Sequence, residues 1–220
     1  MADISVPLHG GATTTATHYV PVTPAGQWLV LAHGAGAGQR HPFMVSIAKA
    51  LADRGIDVVT FNFPYMEQKR RAPDRAPVLE ECFRAVVAAA GEHRSLRTRR
   101  LFIGGKSMGG RMATHLAAQG MDGLHGVIAL GYPLHPPGKP QQMRSAHLPA
   151  IAVPVLIVQG ERDAFGTPAE LEPVIKSMRA GVTLHVVAGG DHSLTVKGRT
   201  NAGGLDAVAT TVAEWMDKLR

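Results

Sequence analysis

Gly105-Lys106-Ser107-Met108-Gly109 reads G-x-S-x-G, directly after the apolar run Leu101-Phe102-Ile103 and before a helical run, Met112 to Gln119. In a tight turn from strand to helix, the central serine has strained backbone and its hydroxyl projects from the end of a sheet. Glycines two before and two after it leave room for neighbouring backbone, and the helix N-terminus that follows favours negative charge developing nearby. A hydroxyl is a poor nucleophile until a neutral imidazole takes its proton. That imidazole in turn needs a carboxylate to fix its tautomer and stabilise its charged form. Two later apolar runs deliver such groups at their C-terminal ends, where sites gather in parallel sheets. Val155 to Gly160 leads into Glu161-Arg162-Asp163, and Leu184 to Val187 leads into Gly189-Gly190-Asp191-His192-Ser193. The expected chemistry is acyl transfer with Ser107 as nucleophile, Asp163 as acid and His192 as base. Its rate should rise with pH as an imidazole loses its proton.

Competing readings exist for each residue. Ser107 could simply cap a helix, since serine is a preferred N-cap. Gly105-Lys106-Ser107 also matches the tail of the phosphate-loop motif, but the position that needs its first glycine is Arg100. Glu161 lies too close to the strand end to be the acid. Asp191 adjoins His192, so its side chain should diverge from the ring. His185 sits inside a strand and reads as structural.

These groups need a scaffold that holds three distant loops together. Short β-branched runs alternate with helical segments, the pattern of a mainly parallel sheet covered on both faces. Strands are expected at Trp28 to Ala32, Asp57 to Phe61, Arg100 to Ile103, Gly126 to Leu130, Val155 to Gln159 and Thr183 to Val187. Two antiparallel edge strands are expected near Ile4 to Leu8 and Tyr19 to Val22, kept at edges by Pro7 and Pro21. Gly55, Gly91, Gly120 and Gly181 each follow an apparent helix, as left-handed C-caps. Thr167 to Glu170 reads as a capping box that opens a helix running to about Arg179, and a last helix covers Leu205 to Leu219.

At 220 residues the expectation is one α/β domain spanning residues 1–220. The formal charge of +6 is carried by scattered residues, apart from Lys69-Arg70-Arg71 and the stretch Arg97 to Arg100. Without an aromatic platform or a DNA-reading motif, it does not argue for nucleic acid. Cys82 is alone and cannot form an internal disulfide, which fits a reducing cytoplasm. Met1 to Leu8 has no basic head or apolar run of a signal peptide, and no stretch reaches membrane-spanning length. The expected partner is a small-molecule acyl substrate, with no cofactor, metal, membrane or nucleic acid; composition is silent on the oligomeric state.

With these motifs in place, the chain resembles the α/β-hydrolase superfamily over nearly its whole length. Trp28 to Ala32 leads into His33-Gly34-Ala35-Gly36-Ala37-Gly38, which resembles the HG-x-G loop of that fold. The order serine, acid, histidine is also that of the fold. The resemblance implies an oxyanion hole made by the backbone N–H groups of Ala35 and Met108. The spacing of this loop fails the dinucleotide fingerprint, and His33 reads as a brace for it. His33-Gly34-Ala35-Gly36, Gly105 to Arg111, Gly160 to Asp163 and Gly190 to Ser193 narrow the likeness. They are similar to small, lidless dienelactone-hydrolase-like proteins related to the hydrolase-like domain of the NSL acetyltransferase complex. Members with dienelactone activity carry a cysteine nucleophile where this chain has Ser107. The segment from Gly131 to Val153 is too proline-rich for a helical cap, which implies an open cleft. Tyr65, Tyr132, Leu134 and Phe165 are candidates to line it. Arg111, one turn into the nucleophile helix, either meets an anionic substrate or, more simply, closes an intramolecular ion pair. The function implied is a serine esterase or thioesterase; the alternative is a binding or scaffolding module on the same fold.

Overall fold

The computed structural model describes residues 2–93, 96–197 and 201–219. Eight strands form, most of them runs of Val, Ile and Leu: β1 (Ala2–Pro7), β2 (Thr13–Tyr19), β3 (Gln27–Ala32), β4 (Asp57–Phe61), β5 (Arg100–Lys106), β6 (Leu124–Leu130), β7 (Val155–Gly160) and β8 (Val182–Val187). They make one sheet in the order β1-β2-β4-β3-β5-β6-β7-β8. Every pairing from β4 to β8 is parallel, and β2 pairs antiparallel with both β1 and β4.

The helices are α1 (Pro42–Ala52), α2 (Pro64–Glu67), α3 (Ala76–Gly91), α4 (Met108–Ala118), α5 (Pro168–Ser177) and α6 (Asn201–Asp217). Side chains alternate across a strand, so each strand serves two cores. Leu29 and Leu31 of β3 pack with Ile47 and Leu51 of α1 and with Val212 and Met216 of α6. Val30 and Ala32 pack on the opposite face with Phe83 and Val86 of α3 and with Met112 and Leu116 of α4. The central strands are therefore mostly apolar, and β3 is buried at every position, Gln27 included.

The second strand departs from expectation. Tyr19 to Val22 was its expected place, but Val20 and Val22 are exposed and the strand ends at Tyr19. The strand is instead the Thr-rich run before it, where Thr14, Ala16 and His18 face inward. It is an interior strand, so only β1 is an edge at this end, and Pro21 lies outside the ladder. Gly55 and Gly120 take the left-handed conformation that ends a helix, at φ 87° and 83°. Gly91 and Gly181 do not: α3 runs through Gly91, and Gly181 leads into β8 from the extended end of α5 at Met178. The capping box at Thr167 forms with Glu170 as expected, while α5 stops at Ser177 rather than near Arg179.

Between β6 and β7 the chain makes loops and one 3₁₀ turn, Leu148–Ala150, so no helical cap covers the C-terminal ends of the strands. Among the described residues, no helix is long and apolar enough to cross a membrane.

Candidate active site

The sharp turn from β5 into α4 places Ser107 at φ 51° and ψ −114°, a conformation that L residues adopt only when surrounding structure enforces it. The enforcement is visible. The Ser107 N–H donates to the Leu130 carbonyl of β6 at 2.9 Å. A Cβ added at Gly105 would sit 2.5 Å from the Gly109 carbonyl carbon, and one at Gly109 would lie 2.4 Å from the Ala32 carbonyl oxygen. The helix and strand can therefore approach only with glycine at both places.

The Ser107 hydroxyl donates to His192 Nε2 at 2.8 Å. On the other side of the ring, His192 Nδ1 lies 2.9 and 2.8 Å from the two Asp163 oxygens. An ionised carboxylate can only accept, so the proton is on Nδ1 and Nε2 is free to take one from serine. Asp163 is almost fully buried, which is tolerable because both oxygens have further partners. Oδ1 accepts from the Phe165 N–H at 2.8 Å, and Oδ2 accepts from Gln159 Nε2 at 2.9 Å. The Phe165 ring stacks on the imidazole at 4.1 Å.

The histidine loop is fixed by the carboxylates that sequence reasoning set aside. Glu161 accepts from the Gly189 N–H at 2.6 Å, and Asp191 accepts from the N–H groups of Ser193 and Thr195 at 2.8 and 3.0 Å. Lys106 reaches the same loop, its ammonium donating to the His192 carbonyl at 2.5 Å. Burial pushes that ammonium down to about 8.

The loop after β3 lies against Ser107: a Cβ on Gly34 would be 3.7 Å from Ser107 Cβ. Tyr65 donates to the Ala35 carbonyl at 2.9 Å, which orients that peptide. His33 is fully buried. Its Nδ1 donates to the Gly34 carbonyl at 2.8 Å, and its Nε2 accepts from the Phe63 N–H at 3.0 Å. Burial pushes this imidazole down to about 4, so it is neutral and acts as the expected brace. Ala35 and Met108 line one cavity together with Ser107 and His192, about 1330 Å³ in volume. Met108 opens α4, where a helix leaves its N–H groups without internal partners.

Against this geometry, comparison with known proteins is direct. Residues 25–217 match the family model for the alpha/beta hydrolase domain. The chain belongs to that family. This α/β-hydrolase is similar in structure to an alpha-beta serine hydrolase homologue from Coxiella burnetii, at TM-score 0.78 and 18% identity over 98% of this chain and 97% of that one. Dienelactone hydrolase from Anabaena variabilis is similar at TM-score 0.79 and 18% identity, over 99% and 96% of the two chains. A Xanthomonas campestris member of the serine hydrolases without a lid aligns at TM-score 0.77 and 18% identity, over 99% and 94%.

Two expectations about this hydrolase's cleft need correction. Tyr132 does not line it: the side chain is fully buried, and its hydroxyl donates to the Arg144 carbonyl at 2.7 Å. Tyr65 and Leu134 are likewise core residues. Phe165 and Arg111 do line the cavity. Among the described residues Arg111 closes no ion pair; the charge that bears on it most is Arg144, a like charge, with Glu80 opposing it more weakly. Sequence reasoning missed Gln159, Lys106 and Arg144. Gln159 alone carried a signal, being an amide at the end of an otherwise apolar strand.

Proposed function

We propose that this chain is a serine hydrolase that cleaves an ester, thioester or related acyl bond through an acyl-enzyme. The observation that carries this reading is the unbroken hydrogen-bonded line from Ser107 Oγ through the His192 ring to Asp163, with bonds of 2.8 Å on both sides of the imidazole. As Oγ attacks the substrate carbonyl carbon, its proton passes to His192 Nε2, and Asp163 stabilises the imidazolium. The N–H groups of Ala35 and Met108 hold the oxyanion; each such donor is typically worth about 10² to 10³ in turnover. His192 then returns its proton to the leaving group as the acyl–oxygen or acyl–sulfur bond breaks. Water, deprotonated by the same ring, releases the acid and restores Ser107. These steps need only the side chains and N–H groups described, without a metal or cofactor.

A fluorophosphonate probe read by intact mass tests the nucleophile, with a panel of short esters and thioesters to read turnover. One adduct on wild type, absent from Ser107→Ala, is the expected result. A folded wild type that neither labels nor turns over any member of the panel overturns the proposal and leaves a binding module.

A further inference from the structure

The strongest unexplained feature near Ser107 is a pair of unneutralised arginines. Arg40, Arg54, Arg70 and Arg99 each pair with an aspartate. Arg111 and Arg144 pair with no carboxylate among the described residues, although they sit close enough that each opposes the other's charge. Both line the cavity that holds Ser107 and His192. Arg111 Nε is shielded from solvent and has no hydrogen-bond partner. A shielded cationic donor without a partner is costly, and two like charges side by side add to the cost. Asp74, the one carboxylate among the described lining residues, is held at Oδ1 by Arg70; its Oδ2 is shielded and without a hydrogen-bond partner, but Asp74 is not among the charges that bear on Arg111. Glu80 attracts Arg111 more weakly than Arg144 repels it, and its own oxygens are held by His115 and Gln119.

Both guanidiniums are mounted on fixed backbone. Arg111 lies one turn along α4 from the nucleophile, its N–H donating to the Ser107 carbonyl at 3.0 Å. Arg144 is pinned by the Tyr132 hydroxyl on its carbonyl and by its own N–H on the Leu134 carbonyl, at 2.7 and 2.8 Å. Four residues of helix rise by about 6 Å, which sets a short spacing between the scissile carbonyl and the group the arginines would hold.

We infer that Arg111 and Arg144 form an anion subsite, and that the substrate is an acyl ester carrying a carboxylate a few bonds from the scissile carbonyl. The inference rests on the serine-hydrolase reading and deepens it. A planar carboxylate can accept from both guanidiniums at once, satisfying Arg111 Nε and relieving the repulsion between the pair.

The test compares kcat/KM for 4-nitrophenyl butyrate, which is neutral, with mono-4-nitrophenyl glutarate, which carries a carboxylate on the acyl side. 3-Acetoxybenzoate against phenyl acetate places the charge on the leaving group instead. The expected result is a preference of about 10- to 100-fold for the anionic member of one pair. That preference should collapse at least ten-fold in Arg111→Gln and Arg144→Gln, and weaken with added salt. The pair that shows it identifies the side of the ester that bears the charge. Turnover of the neutral esters without an anionic preference in either pair overturns the subsite and leaves the serine hydrolase standing. Calorimetric titration of Ser107→Ala with monomethyl glutarate needs no turnover. Binding that weakens about ten-fold on adding Arg111→Gln supports the subsite even if the nucleophile proposal fails. Binding that is absent, or indifferent to Arg111, overturns it.

Discussion

Acid is the sharpest probe of how the glycine-rich loop after β3 is held, because His33 must be neutral to make both of its bonds there. Its Nε2 accepts from the Phe63 N–H, so a proton there would set one donor against another at 3.0 Å in a fully buried site. The folded value is pushed down to about 4 from an ordinary 6.5. Between those limits the unfolded chain binds more protons than the folded one, so stability must fall as pH falls. The contribution of His33 is fully present above pH 6.5 and is lost on the way down to pH 4. At pH 5 the loss is about 2 kcal/mol, with a ceiling of about 3 kcal/mol for the whole shift. Denaturant unfolding at pH 7 and pH 5, on wild type and His33→Gln, isolates this share by difference, because other titrating groups are common to both proteins. Wild type should lose about 2 kcal/mol more than the variant over that interval. A difference under about 0.5 kcal/mol would refute the argument. So would a His33 ring signal in NMR that titrates above pH 6, a readout that does not depend on the variant folding.

Three further outcomes follow from the same contacts. Gly109→Ala forces a methyl onto the Ala32 carbonyl at 2.4 Å and should cost about 3 kcal/mol in a urea melt; an unchanged midpoint would contradict the described turn. Gln159→Leu keeps the volume but strands the Tyr132 N–H and the Gly166 carbonyl, and leaves Asp163 Oδ2 with His192 alone, all three being partners of the buried amide. It should cost about 3 kcal/mol and lower kcat on any ester turned over, with fluorophosphonate labelling slowed in parallel. Lys106→Met removes the bond to the His192 carbonyl while relieving a buried ammonium. Labelling should slow by about ten-fold, with thermal stability unchanged or raised; a lower melting temperature with unchanged labelling would reverse that assignment.

Much of this arrangement is written locally. The turn from β5 into α4, the glycine-rich loop after β3, the capping box at Thr167 and the strands that Asp163 and His192 follow are set by turn chemistry within a few residues, and the structure places each within one or two positions. The Thr-rich β2 was illegible because its burial comes from pairing on both sides, not from its own hydrophobicity. Tyr132 read as a cleft residue because sequence gives its place after a strand but not the direction of its side chain. The opposition of Arg111 and Arg144 joins α4 to the β6–β7 loop, and no spacing rule connects those segments.

β8 lies at the open margin of the sheet, paired on one side only and half-exposed along its length, yet the loop that follows it carries the imidazole. The serine stands on β5, in the middle of the sheet. Margins of a sheet fray at lower free-energy cost than its centre. On gentle warming, reactivity toward a serine probe should therefore fade while circular dichroism is still that of the native chain, and cooling should bring it back. Amide exchange would then be fast in residues 182–197 and slow in β3 and β5.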